Sequence, residues 1–231
     1  MSGSFDYVGW IVIPSLQMGV VVCAIWARSF LRFFPLNFYM LVATLFTAAR
    51  FFTMVQYGVR SSQYFYFYFY SDALLTICLF FALMCLFSHV FQEMGARIYI
   101  RIGAILVIGL ISAVSYGMVR QAQDKMVTNF AAELSQNLYF VGAVLSYVLW
   151  VAIRKLRETR TQLIQLVLAL GVYFSAFAAS YAQSVLYPNS LVWRLVSYAM
   201  AIWLPLAWGY TFLRIPEGAR LTTARVALGS R

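Results

Sequence analysis

Residues 72–92 read DALLTICLFFALMCLFSHVFQ, and this run decides the fold. Residues 73–88 carry no Asp, Glu, Lys or Arg. At 1.5 Å of rise per residue, a helix of this length matches the roughly 30 Å hydrocarbon layer of a bilayer. Six more apolar runs of spanning length accompany it, at about 8–27, 36–57, 100–119, 132–153, 162–186 and 191–213. The expected fold is an all-α integral membrane protein. Its seven transmembrane helices occupy residues 1–213, and a basic tail follows over 214–231.

The whole chain agrees with that reading. Its 231 residues are 63% hydrophobic and only 10% charged, with a mean hydropathy of +0.80, whereas soluble domains carry about 25% charged residues. Seven spans and their connections leave no room for a soluble catalytic domain. The connections are punctuated as helix ends should be, by Pro35, Gly58, Gly95 and the Pro188-Asn189 pair.

The net charge of +10 is topological rather than a sign of nucleic-acid binding, because the basic residues are scattered among short loops. Twelve (Arg28, Arg32, Arg97, Arg101, Arg154, Lys155, Arg157, Arg160, Arg214, Arg220, Arg225 and Arg231) fall at one side of the alternating topology. Only Arg60, Arg120 and Lys125 fall at the other. The positive-inside rule then puts the N-terminus outside and the C-terminus in the cytoplasm of a bacterial inner membrane. Trp10, Trp26, Trp150, Trp193 and Trp208 near span ends are expected to form interfacial belts. With no Lys or Arg before Arg28, the first run is expected to stay as a helix rather than be cleaved as a signal. The tail is too short for a domain; contact with anionic lipid, contact with a cytoplasmic partner and disorder all remain open, and disorder is favoured.

Cys23, Cys78 and Cys85 lie inside spans without a CxxC pairing and read as packing residues. His89, the only histidine, reads as a hydrogen-bonded packing residue, since one His makes neither a bis-His haem site nor a His-rich metal site. Pro14 and Pro205 interrupt the first and last spans. No cofactor is expected.

Ionisable groups inside a span are expensive and mark candidate sites. Arg50 is the sharpest, eight residues before Gly58 and so about 12 Å below the outer end of its helix. Asp72 opens the third run. Glu133, Gln136 and Asn137 sit at i, i+3 and i+4 on the fifth, Gln183 follows Ser180 on the sixth, and Arg194, Ser197 and Tyr198 share a face of the seventh. Arg50, Asp72, Glu133, Gln136, Asn137, Gln183, Arg194 and Tyr198 are therefore the candidate ligand-binding residues of an outer polar pocket. An alternative stays open: the carboxylates and Arg194 suit helix starts and can reach water, and Arg50 suits a helix-to-helix clamp. Residues 63–70, QYFYFYFY, alternate aromatics in a way that suits an interfacial belt or a lid, in extended or β-like form.

Seven spans with an external N-terminus are the plan of microbial rhodopsins, but the seventh run has no lysine to hold retinal. SWEET-type transporters share the count, yet Pro14 has no counterpart in the fifth run and the two triplets do not match. The segments FFPLNFYML, TAARFF, YFYFYFYSDALL and FSHVFQ, within about residues 33–92, resemble short seven-span bacterial proteins of unassigned function. They are more distantly similar to the seven-helix N-terminal sensor region of bacterial histidine kinases. The position of Asp72 tends to be glutamate in the short proteins. The resemblance implies a sensor-like bundle, here without a kinase, so that its output partner is a separate protein.

The expected function is non-enzymatic. A small ligand binds in the outer pocket, and the bundle signals to a separate membrane or cytoplasmic partner; a small-solute transporter and a structural subunit are the alternatives. No nucleophile stands with a base in the pattern an intramembrane hydrolase needs. The lipid bilayer is an expected partner, and nucleic acid is not.

Overall fold

The computed structural model describes residues 4–59, 61–92, 97–119, 126–156, 159–186 and 192–215, without the side chains of 4–8, 97, 101, 126–129, 184–186 and 192–194. The regular structure there is helical: α1 (Ser4–Trp26), α2 (Phe34–Tyr57), α3 (Ser62–Val90), α4 (Arg97–Val119), α5 (Met126–Lys155), α6 (Thr161–Leu186) and α7 (Val192–Arg214). All seven are long and apolar enough to cross a membrane, with spanning windows of mean hydropathy from 1.2 to 2.3. The tail expected over 214–231 lies outside the described residues beyond Ile215.

The helix ends follow local chemistry. Pro35 enters the first turn of α2, where its missing N–H has no partner to lose. Gly58 ends α2 with φ +81°, its N–H reaching Met54 O at 2.9 Å. Ser61 caps α3, its Oγ accepting the Tyr64 N–H at 3.1 Å. After α1 the chain turns through Arg28 at φ +53°, with Ser29 N–H bonded back to Ala24 O at 3.0 Å. The Asn37 amide then ties this connection down by donating to the carbonyls of Phe30 and Phe33, each at 3.2 Å.

Residues 63–70 correct the expectation of an extended stretch. They are helix, and α3 starts ten residues before Asp72. An extended segment would leave its N–H and C=O groups without partners in an apolar layer, and the Ser61 cap starts the helix instead. Read at helical period, Tyr64, Tyr68, Asp72 and Leu75 share one face, while Phe65 and Phe69 stack edge-on along the next at 4.6 Å. α5 likewise starts before the expected residue 132, at Met126.

Neighbouring helices close a ring in the order α1, α2, α3, α5, α6, α7 and back to α1, and α4 packs outside it against α3 and α5. One core fills the ring around Phe33, Leu36, Leu83, Leu166, Leu170 and Trp208. A second, smaller one of Phe80, Ala104, Ile111, Leu134 and Leu138 attaches α4. Small residues bring α5 and α6 together, and a Cβ on Gly142 would overlap the fully buried Phe174 ring. Outward positions stay apolar and exposed, such as Ile105, Leu106 and Leu110 on α4. That is the surface a lipid solvent selects.

The tryptophans depart from the belt expectation. Trp208 is wholly buried in the ring core, and Trp10 faces inward against Phe51 at 5.8 Å. Trp26 is 81% exposed as a belt residue should be, whereas the side chain of Trp193 lies outside the described residues.

Candidate ligand-binding cavity

Arg50 projects from α2 into the ring and is held by α3. Its Nε donates to Ser71 Oγ at 2.6 Å, and its Nη2 donates to the carbonyl of Tyr68 at 3.1 Å. The guanidinium carbon lies 4.4 Å from the centre of the Tyr68 ring, in cation–π contact. Ser71 Oγ itself donates a hydrogen bond to the same Tyr68 carbonyl at 3.0 Å. Asp72 comes next on α3, with Oδ1 3.9 Å from Arg50 Nη2, an ion pair that is not a hydrogen bond. From α6 the Tyr181 hydroxyl donates to the Asp72 carboxylate. From α5 the fully buried Ser135 hydroxyl lies beside it. Four helices thus meet at one charged pair.

That pair forms part of the wall of a cavity of about 540 Å³ lined by α1, α2, α3, α5, α6 and α7 and by no described residue of α4. The volume is within the 300–1,000 Å³ typical of small-molecule sites. Its walls run from Gly9 to Gln17 on α1, Tyr39 to Arg50 on α2, Tyr64 to Leu75 on α3, Tyr173 to Tyr181 on α6 and Ser197 to Pro205 on α7. The cavity therefore lies mainly in the half of the ring where α1, α3, α5 and α7 begin, and reaches along α2 as far as Tyr39. The other half is filled by Leu36, Leu79, Leu83, Leu86, Leu166 and Trp208, each no more than 1% exposed.

Seven tyrosines line the cavity: Tyr39, Tyr64, Tyr68, Tyr139, Tyr173, Tyr181 and Tyr198. Tyr139 lies nearly parallel to Phe177 at 4.8 Å and to Tyr181 at 5.7 Å, giving a stacked aromatic wall on α5 and α6. Tyr39 and Tyr173 meet at their hydroxyls, 3.5 Å apart, near the floor. Gln17 adds an amide whose Oε1 accepts from Thr44 at 3.3 Å. Hydroxyl groups and π-faces thus surround one cation and one carboxylate. Among the described residues, no three His, Cys, Asp or Glu side chains are placed to hold a metal ion.

Of the residues picked out by sequence, Arg50, Asp72 and Tyr198 line the cavity, together with Ser180 and Ser197. Asp72 is not at a helix start but ten residues within α3, so the macrodipole account of its position falls away. Glu133, Gln136, Asn137 and Gln183 are not in the cavity wall. The face of α5 that carries Asn137 is turned to α4, where its amide donates to Ser115 Oγ at 2.9 Å; the next face carries Ser135 and Tyr139 towards the site. The Arg194 side chain lies outside the described residues. Sequence reasoning missed Tyr39, Tyr139, Tyr173, Tyr181 and Gln17, and met Tyr64 and Tyr68 only as part of the aromatic run 63–70. The signal was present as Tyr64, Tyr68 and Asp72 at i, i+4 and i+8, and as Tyr173, Phe177 and Tyr181 with the same spacing.

At the opposite end, His89 is a packing residue as expected. Its Nδ1 meets Cys85 O at 2.8 Å and its ring stacks on Phe33 at 5.1 Å. Arg160, from the connection between α5 and α6, donates to His89 O at 2.9 Å and so caps the carbonyl end of α3 with a cation.

No protein-family model, curated protein or solved structure matches the chain.

Proposed function

We propose that this protein is a non-enzymatic, receptor-like sensor of the bacterial inner membrane, with its N-terminus outside. It binds a small molecule in the outer cavity and reports it to a separate partner through the cytoplasmic loops. The observation that carries the reading is the Arg50–Asp72 pair in the cavity wall, where α2, α3, α5 and α6 converge. A ligand that engages either charge changes the packing of several helices at once. Binding of this kind favours one helix arrangement over another, and the far ends of the same helices carry the difference. The orientation is supported by the twelve basic residues at one side against three at the other.

The closed far half of the ring favours a receptor over a channel. A transporter remains the second reading, because Pro14 and Pro205 lie inside α1 and α7, two adjacent helices that both line the cavity. Solute flux in proteoliposomes would shift the assignment to it.

The decisive experiment is thermal unfolding of the purified protein in nanodiscs against a panel of small polar and aromatic molecules, for the parent and for Ala201→Phe, which fills the cavity from α7. A ligand at a hundred times its Kd stabilises the parent by about 2.7 kcal/mol. The same ligand is expected to leave Ala201→Phe unchanged. Stabilisation of equal size in both proteins removes the cavity from the account.

A further inference from the structure

We infer that the cavity takes a zwitterion: a molecule bearing an ammonium and a carboxylate side by side on an aromatic body, of which an aromatic amino acid is the simplest member. The inference rests on the cavity being a ligand site and adds the class of ligand.

The charge balance comes first. Among the described residues the wall holds one cation, Arg50, and one anion, Asp72, 3.9 Å apart. A ligand with a single negative charge that approaches Arg50 also approaches Asp72. Attraction and repulsion then nearly cancel, because both distances are similar. A singly positive ligand meets the same cancellation with the signs reversed. A ligand carrying both charges, laid antiparallel to the pair, is attracted at both ends, and neither protein charge loses its compensation when water leaves the cavity.

Hydrogen-bond capacity points the same way. Arg50 uses Nε on Ser71 and Nη2 on the Tyr68 carbonyl, while Nη1 makes no hydrogen bond among the described residues. Two N–H groups of a cavity-wall guanidinium are thus available to a carboxylate. Asp72 is not hydrogen-bonded by Arg50, so its carboxylate retains acceptor capacity for an ammonium. The π-faces around it favour a cation as well.

The body of the ligand is set by the remaining wall. Tyr139, Phe177 and Tyr181 present a stack of near-parallel rings, and Tyr64 and Tyr68 line the cavity from α3. A planar aromatic ring fits against such a stack better than a flexible polar chain, because ring pairs add stacking to burial.

The test compares three versions of one molecule on the full-length parent protein in nanodiscs. L-tryptophan and L-phenylalanine carry both charges, tryptamine and phenethylamine lack the carboxylate, and indole-3-propionate and 3-phenylpropionate lack the ammonium. Calorimetry or thermal shift is expected to show at least one amino acid binding, with its amine and its acid each at least tenfold weaker. Asp72→Asn is expected to erase the advantage over the acid, and Arg50→Gln the advantage over the amine. Because the comparison on the parent needs no variant, a substitution that fails to fold leaves it intact. An amine that binds as tightly as its amino acid overturns the zwitterion in favour of an organic cation, and an acid that does so overturns it in favour of an anion. If neither amino acid binds while another panel molecule stabilises the parent and not Ala201→Phe, the zwitterion is overturned and the cavity reading stands. If nothing stabilises the parent, both fall.

Discussion

The Arg50 guanidinium is fastened to Ser71 more closely than to Asp72: Nε reaches the buried Ser71 hydroxyl at 2.6 Å, while the carboxylate of the next residue stands 3.9 Å away. The hydrogen bonds that join α2 to α3 therefore run through a serine and a backbone carbonyl. The carboxylate is left in the cavity wall. Of the two roles the sequence leaves open for Arg50, the clamp uses Nε and Nη2, and the proposed ligand contact would fall to Nη1.

Arg50→Leu is expected to lower stability by about 2 to 3 kcal/mol, because it removes two charge-assisted hydrogen bonds and leaves Asp72 without its counter-charge. Arg50→Lys is expected to fall between parent and Leu. It keeps the charge, but one ammonium on a flexible stem does not reproduce a planar fork bonded at two nitrogens and stacked on Tyr68. Thermal unfolding in nanodiscs ranks the three. A Leu variant as stable as the parent would show that Arg50 clamps nothing.

Gly142→Ala is expected to destabilise the bundle by roughly 1 to 3 kcal/mol, since the added methyl meets the Phe174 ring, which is fully buried and has nowhere to turn. Gly109→Ala on α4, with nothing within 4 Å of its added carbon, is the control and should be neutral or slightly stabilising. Phe174→Leu should recover part of the loss when combined with Gly142→Ala. Independent, additive effects of the two substitutions would show that α5 and α6 are not in contact there.

The seven spans are legible in the sequence because hydropathy over twenty residues is a property of each segment alone. Which way a helix is rotated about its axis is not. Glu133, Gln136 and Asn137 announce a polar face on α5, yet only packing decides that the face carrying Asn137 turns to Ser115 on α4, an arrangement that also depends on α4 lying outside the ring. Arg50 and Asp72 stood out because a charge in an apolar run is costly wherever it points. The tyrosines stayed hidden because a phenol, part apolar ring and part hydroxyl, is ordinary in a span and does not announce which way it faces. The aromatic alternation of 63–70 misled for a related reason: Phe and Tyr differ too little in polarity for a period of two to mean a strand, whereas the Ser61 cap is a specific signal for a helix.

Asn137→Leu tests the outboard position of α4. The substitution breaks the bond to Ser115 and is expected to cost about 0.5 to 1.5 kcal/mol. A double-mutant cycle with Ser115→Ala should recover most of that as coupling. Ligand stabilisation should be unchanged, because no described residue of α4 lines the cavity. Loss of ligand response in Asn137→Leu would place α4 in the binding mechanism after all.

The final prediction concerns which side of the membrane the cavity faces. Val59, 63% exposed in the connection between α2 and α3, stands at the cavity end of the ring, and Leu156, just after α5, stands at the other. In a background with Cys23, Cys78 and Cys85 replaced by alanine, Val59→Cys should react with an impermeant thiol reagent applied to intact cells. Leu156→Cys should react only after the membrane is opened. The physical ground is the crowding of basic residues at the Leu156 end, among them Arg154, Lys155, Arg157 and Arg160, against Arg60 alone beside Val59. Moving that cluster across the membrane opposes the potential, at about 2.3 kcal/mol per charge per 100 mV. The reverse labelling pattern would turn the cavity towards the cytoplasm, and a sensor of the outside would become a sensor of the cell's own solutes.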